Sequence, residues 1–149
     1  MTNSSREERS IDSGVGATTV RNALRRALAR HLKSELSTTY ERLTSKAPYS
    51  PDAQSIGRRS LRNLCLGYLG ELGQSALAHE QFQRADNMTD SMAALFTLAN
   101  LDCPEREPAL AAFYERWKDE PLVVDKWIAV QAGSRLSTTL NTVRELLRH

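Results

Sequence analysis

From Val20 onward, apolar side chains return every three or four residues, and prolines and glycines cut that pattern into short pieces. This spacing places the apolar residues on one face of successive helices and leaves no room for strand alternation. Val20, Leu24, Ala27, Leu28, Leu32, Leu36, Tyr40 and Leu43 form the first such stripe, predicting one long helix that turns this face to a core. Arg21, Arg25, Arg26, Arg30 and Lys33 occupy the other side, and Thr18 or Thr19 suits its N-cap.

Pro48 and Pro51 close that helix and open the next. Ser50 is suited to the N-cap, Pro51 to the first helical turn, and Asp52 to the positive helix end. The second helix carries Ile56, Leu61, Leu64, Cys65, Tyr68, Leu69 and Leu72 as its buried stripe, and Gly73 fits a left-handed end. A third covers roughly residues 75–84, with Leu77, Ala78 and Phe82 inward. Ala85-Asp86-Asn87-Met88-Thr89-Asp90 reads as a joint in which Asn87 or Thr89 caps the fourth helix. That helix buries Met92, Leu95, Phe96 and Ala99. Leu110, Phe113, Tyr114 and Trp117 mark a fifth, between Pro108 and Pro121. The stretch from Leu122 to Ala132 is rich in Val and Ile, but Asp125, Lys126 and Gln131 and the lack of any pairing strand favour a short buried helix. A last helix after Gly133 carries Leu140, Val143, Leu146 and Leu147.

The fold class is therefore all-α, with about seven helices. Starts near residues 51, 87 and 122 follow at roughly 35-residue intervals, two helices each, the rhythm of stacked helix hairpins in part of an α-α superhelix. No tetratricopeptide or ankyrin consensus accompanies it. Residues 1–18 hold too few apolar side chains to offset their ordering entropy, which predicts a disordered N-terminal lead ahead of a helical unit over 19–149.

Composition narrows the function classes. An apolar share of 40% with 26% charged residues is that of an ordinary globular chain. A net charge of +2 gives no general drive toward nucleic acid, and no run reaches the length of a membrane span. The polar start is not a secretory signal, so a cytoplasmic location is expected. Two cysteines, Cys65 and Cys103, supply neither a disulfide framework nor a four-thiolate zinc site, and neither has an adjacent histidine to activate it.

One segment resembles a metal motif. His79-Glu80-Gln81-Phe82-Gln83 places Gln83 where a zinc-peptidase helix needs a second histidine four residues after the first. An amide oxygen is a poor zinc ligand, so the segment reads as a solvated polar helix face. His31 and His149 lack ligand spacing. No nucleophile elbow, phosphate-binding glycine loop or dinucleotide fingerprint is present. The basic face of the first helix has enough cations to meet phosphates, but long cationic side chains also keep a helix face wet. Phe113, Tyr114, Trp117 and Trp127 sit at helical spacing and read as core, with the Trp127 indole N–H in need of an acceptor. Catalytic, cofactor-binding and metal-ligating residues are therefore expected to be absent.

Taken in order, Arg59-Ser60-Leu61-Arg62-Asn63-Leu64-Cys65-Leu66-Gly67-Tyr68-Leu69, Ala85-Asp86-Asn87-Met88-Thr89-Asp90, Phe113-Tyr114-x-x-Trp117 and Leu122-Val123-Val124-Asp125-Lys126-Trp127 resemble the C-terminal helical domain of bacterial aminopeptidase N. These are the alanyl aminopeptidases, gluzincin zinc metallopeptidases that remove N-terminal residues from peptides. The resemblance runs from about Val20 to His149. It implies a cytosolic parent enzyme with one zinc, held by His-Glu-x-x-His and a distant glutamate, and a Gly-Ala-Met-Glu-Asn segment that grips the substrate amine. None of those motifs occurs in this chain, so no catalytic residue carries over. The implied partner is the catalytic domain, in cis or as a separate chain, against which the helices would wall the active-site chamber. The alternative is a freestanding helical-repeat interaction module, for which the apolar Leu140, Val143, Leu146 and Leu147 at the last helix make a poor terminal cap.

Overall fold

A computed structural model of the chain describes the backbone of residues 4–148 and the side chains of residues 16–148. The helices are α1 (Ser4–His31), α2 (Lys33–Leu43), α3 (Ala53–Gly70), α4 (Ser75–Arg84), α5 (Met88–Ala99), α6 (Arg106–Trp117), α7 (Pro121–Ala132) and α8 (Thr139–Leu146). No strand occurs among the described residues. Of the residues expected as a disordered lead, 1–3 lie outside the description, as do the side chains through residue 15.

The extra helix arises within the first apolar stripe. Leu32 (φ −102°, ψ 16°) departs from helical geometry and divides α1 from α2. Leu32 N still donates to Leu28 O and Leu36 N to Leu32 O, both at 2.9 Å, so the break is a bend rather than a turn. Elsewhere the breaks fall beside prolines or glycines, except at residues 85–87 between α4 and α5, which include neither. Gly73 has φ +78°, a left-handed conformation that an L side chain rarely adopts. The cap of α3 is Asp52, not Ser50: its carboxylate accepts from Ser55 N at 2.9 Å, while Ser50 Oγ donates to Asp52 Oδ2 at 2.6 Å. Pro51 thus precedes the helix. The carboxylate wins because it reaches the free amide and carries the charge that the helix end favours. Asn87 caps α5 as expected, accepting from Asp90 N at 2.9 Å.

The helices pair as hairpins, α2 with α3, α4 with α5, and α6 with α7. The hairpins stack through their second helices, α3 on α5 and α5 on α7, with α8 added against α7. Helix α5 lies at the centre, and Ala94, Leu95, Leu98 and Ala99 are wholly buried. Leu66, Leu69 and Phe113 complete the inner layer. Each such large side chain contributes roughly 1.5–3 kcal/mol by leaving water. Close approach of α3 to α5 requires a glycine, since a Cβ on Gly70 would stand 2.5 Å from Thr97 Cγ2. Thr97 is in turn pinned, its hydroxyl donating to Ala93 O at 2.9 Å.

A polar cluster crosses this core. Tyr40 on α2 donates its hydroxyl to Gln81 Oε1 on α4 at 2.9 Å. Gln81 Nε2 donates to Asn63 Oδ1 (2.8 Å) and to the Asp90 carbonyl (3.1 Å). The Asp90 carboxylate accepts from Asn63 Nδ2 (2.9 Å) and Asn87 Nδ2 (3.0 Å), and pairs with Arg62 Nη2 at 2.7 Å. The solvated face expected over residues 79–83 is corrected at Gln81, which is buried, whereas Glu80 and Gln83 are exposed and Phe82 packs inward as expected. Only the partners of an amide, not its polarity, decide whether burial costs or stabilises.

The apolar stripes also need correction. Val20, Leu24, Leu28 and Leu32 are exposed, Val20 to 68%, and among the described side chains of α1 only Ala29 is fully buried. On α3 the covered arc is Cys65, Leu66, Leu69 and Gly70, whereas Ile56, Leu61 and Leu64 face outward. Phe96 is likewise 53% exposed. Periodicity assigns residues to a common face, but a neighbouring helix must exist to cover that face, and no described element does.

Two substitutions report on this packing. Gly70→Ala should lower stability by about 1–3 kcal/mol through overpacking against Thr97, read from the urea midpoint at unchanged slope. Gln81→Leu should cost about 1–3 kcal/mol, since it strips the Tyr40 hydroxyl and the Asn63 and Asp90 oxygens of a buried partner. A neutral result for Gln81→Leu would show that the cluster is hydrated.

Candidate functional site

A recess of about 270 Å³ lies between α1, α3, α5 and the joint that precedes α8. Its lining includes Asn22, Arg25, Glu71, Phe96, Asn100 and Arg135. Glu71 follows directly on α3, and its carboxylate is buried. Arg25 Nε of α1 lies 3.1 Å from Glu71 Oε1, and Arg135 Nη2 lies 2.8 Å from the same oxygen. Arg135 also donates through its backbone N to Asn100 Oδ1 (2.9 Å) and through Nη1 to Asn22 Oδ1 (3.2 Å). Arg25 additionally stacks over the Tyr68 ring at 4.8 Å.

Burial alone would push the Glu71 carboxyl up, but hydrogen bonds from Arg135 and Arg25, and their charges, outweigh it and hold the group below the usual carboxylate range. Two guanidinium groups hold one carboxylate ionised and occupy most of its acceptor sites. Held below the usual range, it is a weak general base and carries no proton to donate. The recess is a brace that joins α1, the end of α3 and the joint before α8.

The sequence-predicted candidates are not brought together. His79 is half-buried on α4, Glu80 pairs with Arg84 at 2.7 Å along the same helix, and Gln83 is exposed. No group of three or more His, Cys, Asp or Glu that could hold a metal ion occurs among the described residues. Cys65 is buried and Cys103 half-buried, both free. Burial pushes each thiol up, opposite to the shift that an attacking thiolate needs, and Glu105 adds to the effect at Cys103. The aromatic residues behave as packing. Phe113 is buried, Tyr114 and Trp127 lie 4.8 Å apart, and Trp127 Nε1 donates to Leu110 O at 2.9 Å. No described helix is long and apolar enough to cross a membrane.

The basic residues divide. Arg25 turns inward to Glu71, Arg62 to Asp90, and Arg59 lies over the Tyr49 ring at 4.6 Å. Arg21, Arg26, Arg30 and Lys33 remain exposed. The Glu71 brace was missed in the sequence because its partners come from 46 and 64 residues away. No local spacing signals such a contact.

Comparison with known proteins places this geometry. A family model described as DUF3458_C, a domain of unknown function with ARM repeats, matches residues 9–149. Aminopeptidase N of Escherichia coli K12 is 38% identical over 134 residues, covering 87% of this chain and 15% of that protein. Aminopeptidase N of Caulobacter vibrioides is 36% identical over 134 residues, with the same coverage of both chains. Among solved structures, Legionella pneumophila aminopeptidase A in complex with aspartic acid superposes with a TM-score of 0.73 at 28% identity, over 87% of this chain and 16% of that one. This chain thus spans about 15% of the length of the curated relatives it matches. The all-helical stack and the matched span agree: the chain belongs to the DUF3458_C family of ARM-repeat domains and matches the C-terminal helical domain of aminopeptidase N.

Proposed function

We propose that this chain is a non-catalytic part of an aminopeptidase N, in which residues 19–149 build a section of the helical wall around the active-site chamber and residues 1–18 form a lead. The observation that carries this reading is the match to aminopeptidase N from several bacteria over most of this chain but a small fraction of theirs. In such an enzyme the zinc and the substrate-gripping groups come from polypeptide outside this chain, which acts in the cytoplasm on N-terminal residues of peptides. The donors present here do not fit the metal: the one imidazole with suitable neighbours, His79, has Glu80 committed to Arg84 and an amide at the position of the second ligand.

A wall contributes by shape. It excludes bulky substrates and bulk water from a chamber, and it must hold its curvature to do so. The Glu71 brace serves that need, because it fixes α1 relative to the joint before α8 across the stack. The exposed apolar faces of α1 and α8 support a partner over a freestanding, capped solenoid; Leu147 is 83% exposed. That partner is the catalytic domain, joined in cis or docked as a separate chain.

Two measurements test the reading. The purified chain with added zinc should hydrolyse no alanyl-p-nitroanilide above buffer, and zinc-dependent turnover would contradict it. A chimeric E. coli aminopeptidase N, with this chain in place of its matching stretch, should fold and hydrolyse that substrate; a folded but inactive chimera would count against a wall role.

The brace makes a separate claim about pH. Because the folded-state pKa of Glu71 is depressed, its stabilisation is complete above the ordinary carboxylate value and is lost as pH falls through the lower folded value. Glu71→Gln should therefore cost about 1–3 kcal/mol at neutral pH. That difference should shrink as both proteins are unfolded in progressively more acid buffer, and a pH-independent difference would show that the ion triad is not its source.

A further inference from the structure

The outward face of α1 is built to receive another helix. Val20, Ala23, Leu24, Ala27 and Leu28 are all exposed and recur at three- and four-residue steps, a continuous apolar strip on one side of the helix. Leu24 is 59% exposed. The opposite side is already occupied, since Arg25 reaches Glu71 and Ala29 is fully buried. Ala23 and Ala27 leave the side of the strip nearest Arg30 shallow, which lets a second backbone come close. On the helical wheel Arg21 borders one edge of the strip and Arg30 the other, and no acidic residue occurs from Gly16 to Lys33. Arg21, Arg26, Arg30 and Lys33 make no ion pair among the described residues.

We infer that this face docks an amphipathic helix with acidic flanks, carried by polypeptide outside this chain. Charge complementarity sets the sign of the flanks, and the apolar strip sets the helical repeat of the partner. Roughly 85% of the length of the relatives lies outside the span matched here, so chain to supply such a helix is abundant (100% less the 15% covered). A nucleic acid fits less well, because a charged, hydrated phosphate backbone leaves the leucines that separate the cations uncovered. A lipid surface also fits less well, because the strip has no aromatic anchor and Leu28 and Leu32 are more than half covered. The inference rests on the reading that further polypeptide surrounds this chain, and it adds which surface meets it and with what chemistry.

The test uses the whole chain and a fluorescein-labelled designed helix of three heptads, with leucine at the a and d positions and glutamate at e and g. The glutamates repel one another and suppress self-pairing. The chain should bind it about tenfold or more tighter than the same peptide with lysine at e and g, and added salt should weaken the binding. Leu24→Asp should reduce the affinity by about tenfold or more, while Leu122→Asp, at an exposed leucine of α7, should leave it unchanged. Both positions are exposed, and circular dichroism should show both variants folded.

Equal binding of the two peptides, failure of the glutamate peptide to bind, or indifference to Leu24→Asp would overturn the inference. So would dimerisation of the chain, or its retention on phosphatidylglycerol vesicles, where either is abolished by Leu24→Asp, because the occupant would then be a second copy or a membrane. Zinc-dependent hydrolysis by the isolated chain would remove the wall reading without altering the peptide result. A failed peptide experiment would leave the hydrolysis assay standing.

Discussion

A carboxylate at the first turn of a buried helix must find partners within the protein, and in this chain that requirement fixes the relative positions of four helices. Asp90 opens α5, where the positive helix end favours it, and Arg62 and Asn63 of α3 reach it directly. Gln81 of α4 holds its carbonyl and passes the contact on to Tyr40 of α2. An apolar core alone would tolerate small slips of one hairpin over the next. A cluster of donors and acceptors at defined distances does not, because each slip strands a buried polar atom. The wholly buried Ala94, Leu95, Leu98 and Ala99 then follow from where α5 has been placed.

The sequence made the punctuation of the chain legible and left its coverage obscure. Proline and glycine act within a few residues, so the left-handed end at Gly73 could be read directly, and the cap of α5 could be narrowed to Asn87 or Thr89, of which Asn87 serves. So could the need of Trp127 for an acceptor, met by a carbonyl of the preceding helix. The bend at Leu32 had no such marker, and two helices stood where one was expected. The cap at Asp52 instead of Ser50 turned on a choice between neighbours two residues apart, each a good acceptor. The outward Ile56, Leu61, Leu64 and Phe96 could not be read at all, because exposure depends on which helices are present to pack on them. Gln81 and Glu71 escaped for a related reason: their partners come from other helices.

Those misplaced apolar faces bear on function. An exposed leucine alone is ordinary, but a continuous strip along α1 is a surface waiting for cover. The match of nearly all of this chain to a small share of aminopeptidase N accounts for the strip without invoking instability. The chemistry agrees with that division of labour. The buried carboxylates of Glu71 and Asp90 are both engaged by arginine, and both thiols are shifted away from reactivity. The buried polar groups have been spent on shape.

Hydrogen exchange compares the chain alone with the same chain built into E. coli aminopeptidase N and tests this account most directly. Amides of α5 should be strongly protected in both, since that helix is covered by the chain's own hairpins. Amides of residues 20–31 in α1 should exchange rapidly in the isolated chain and slow markedly in the enzyme. Equal exchange of α1 in both settings would contradict the claim that this stack is completed by polypeptide outside it.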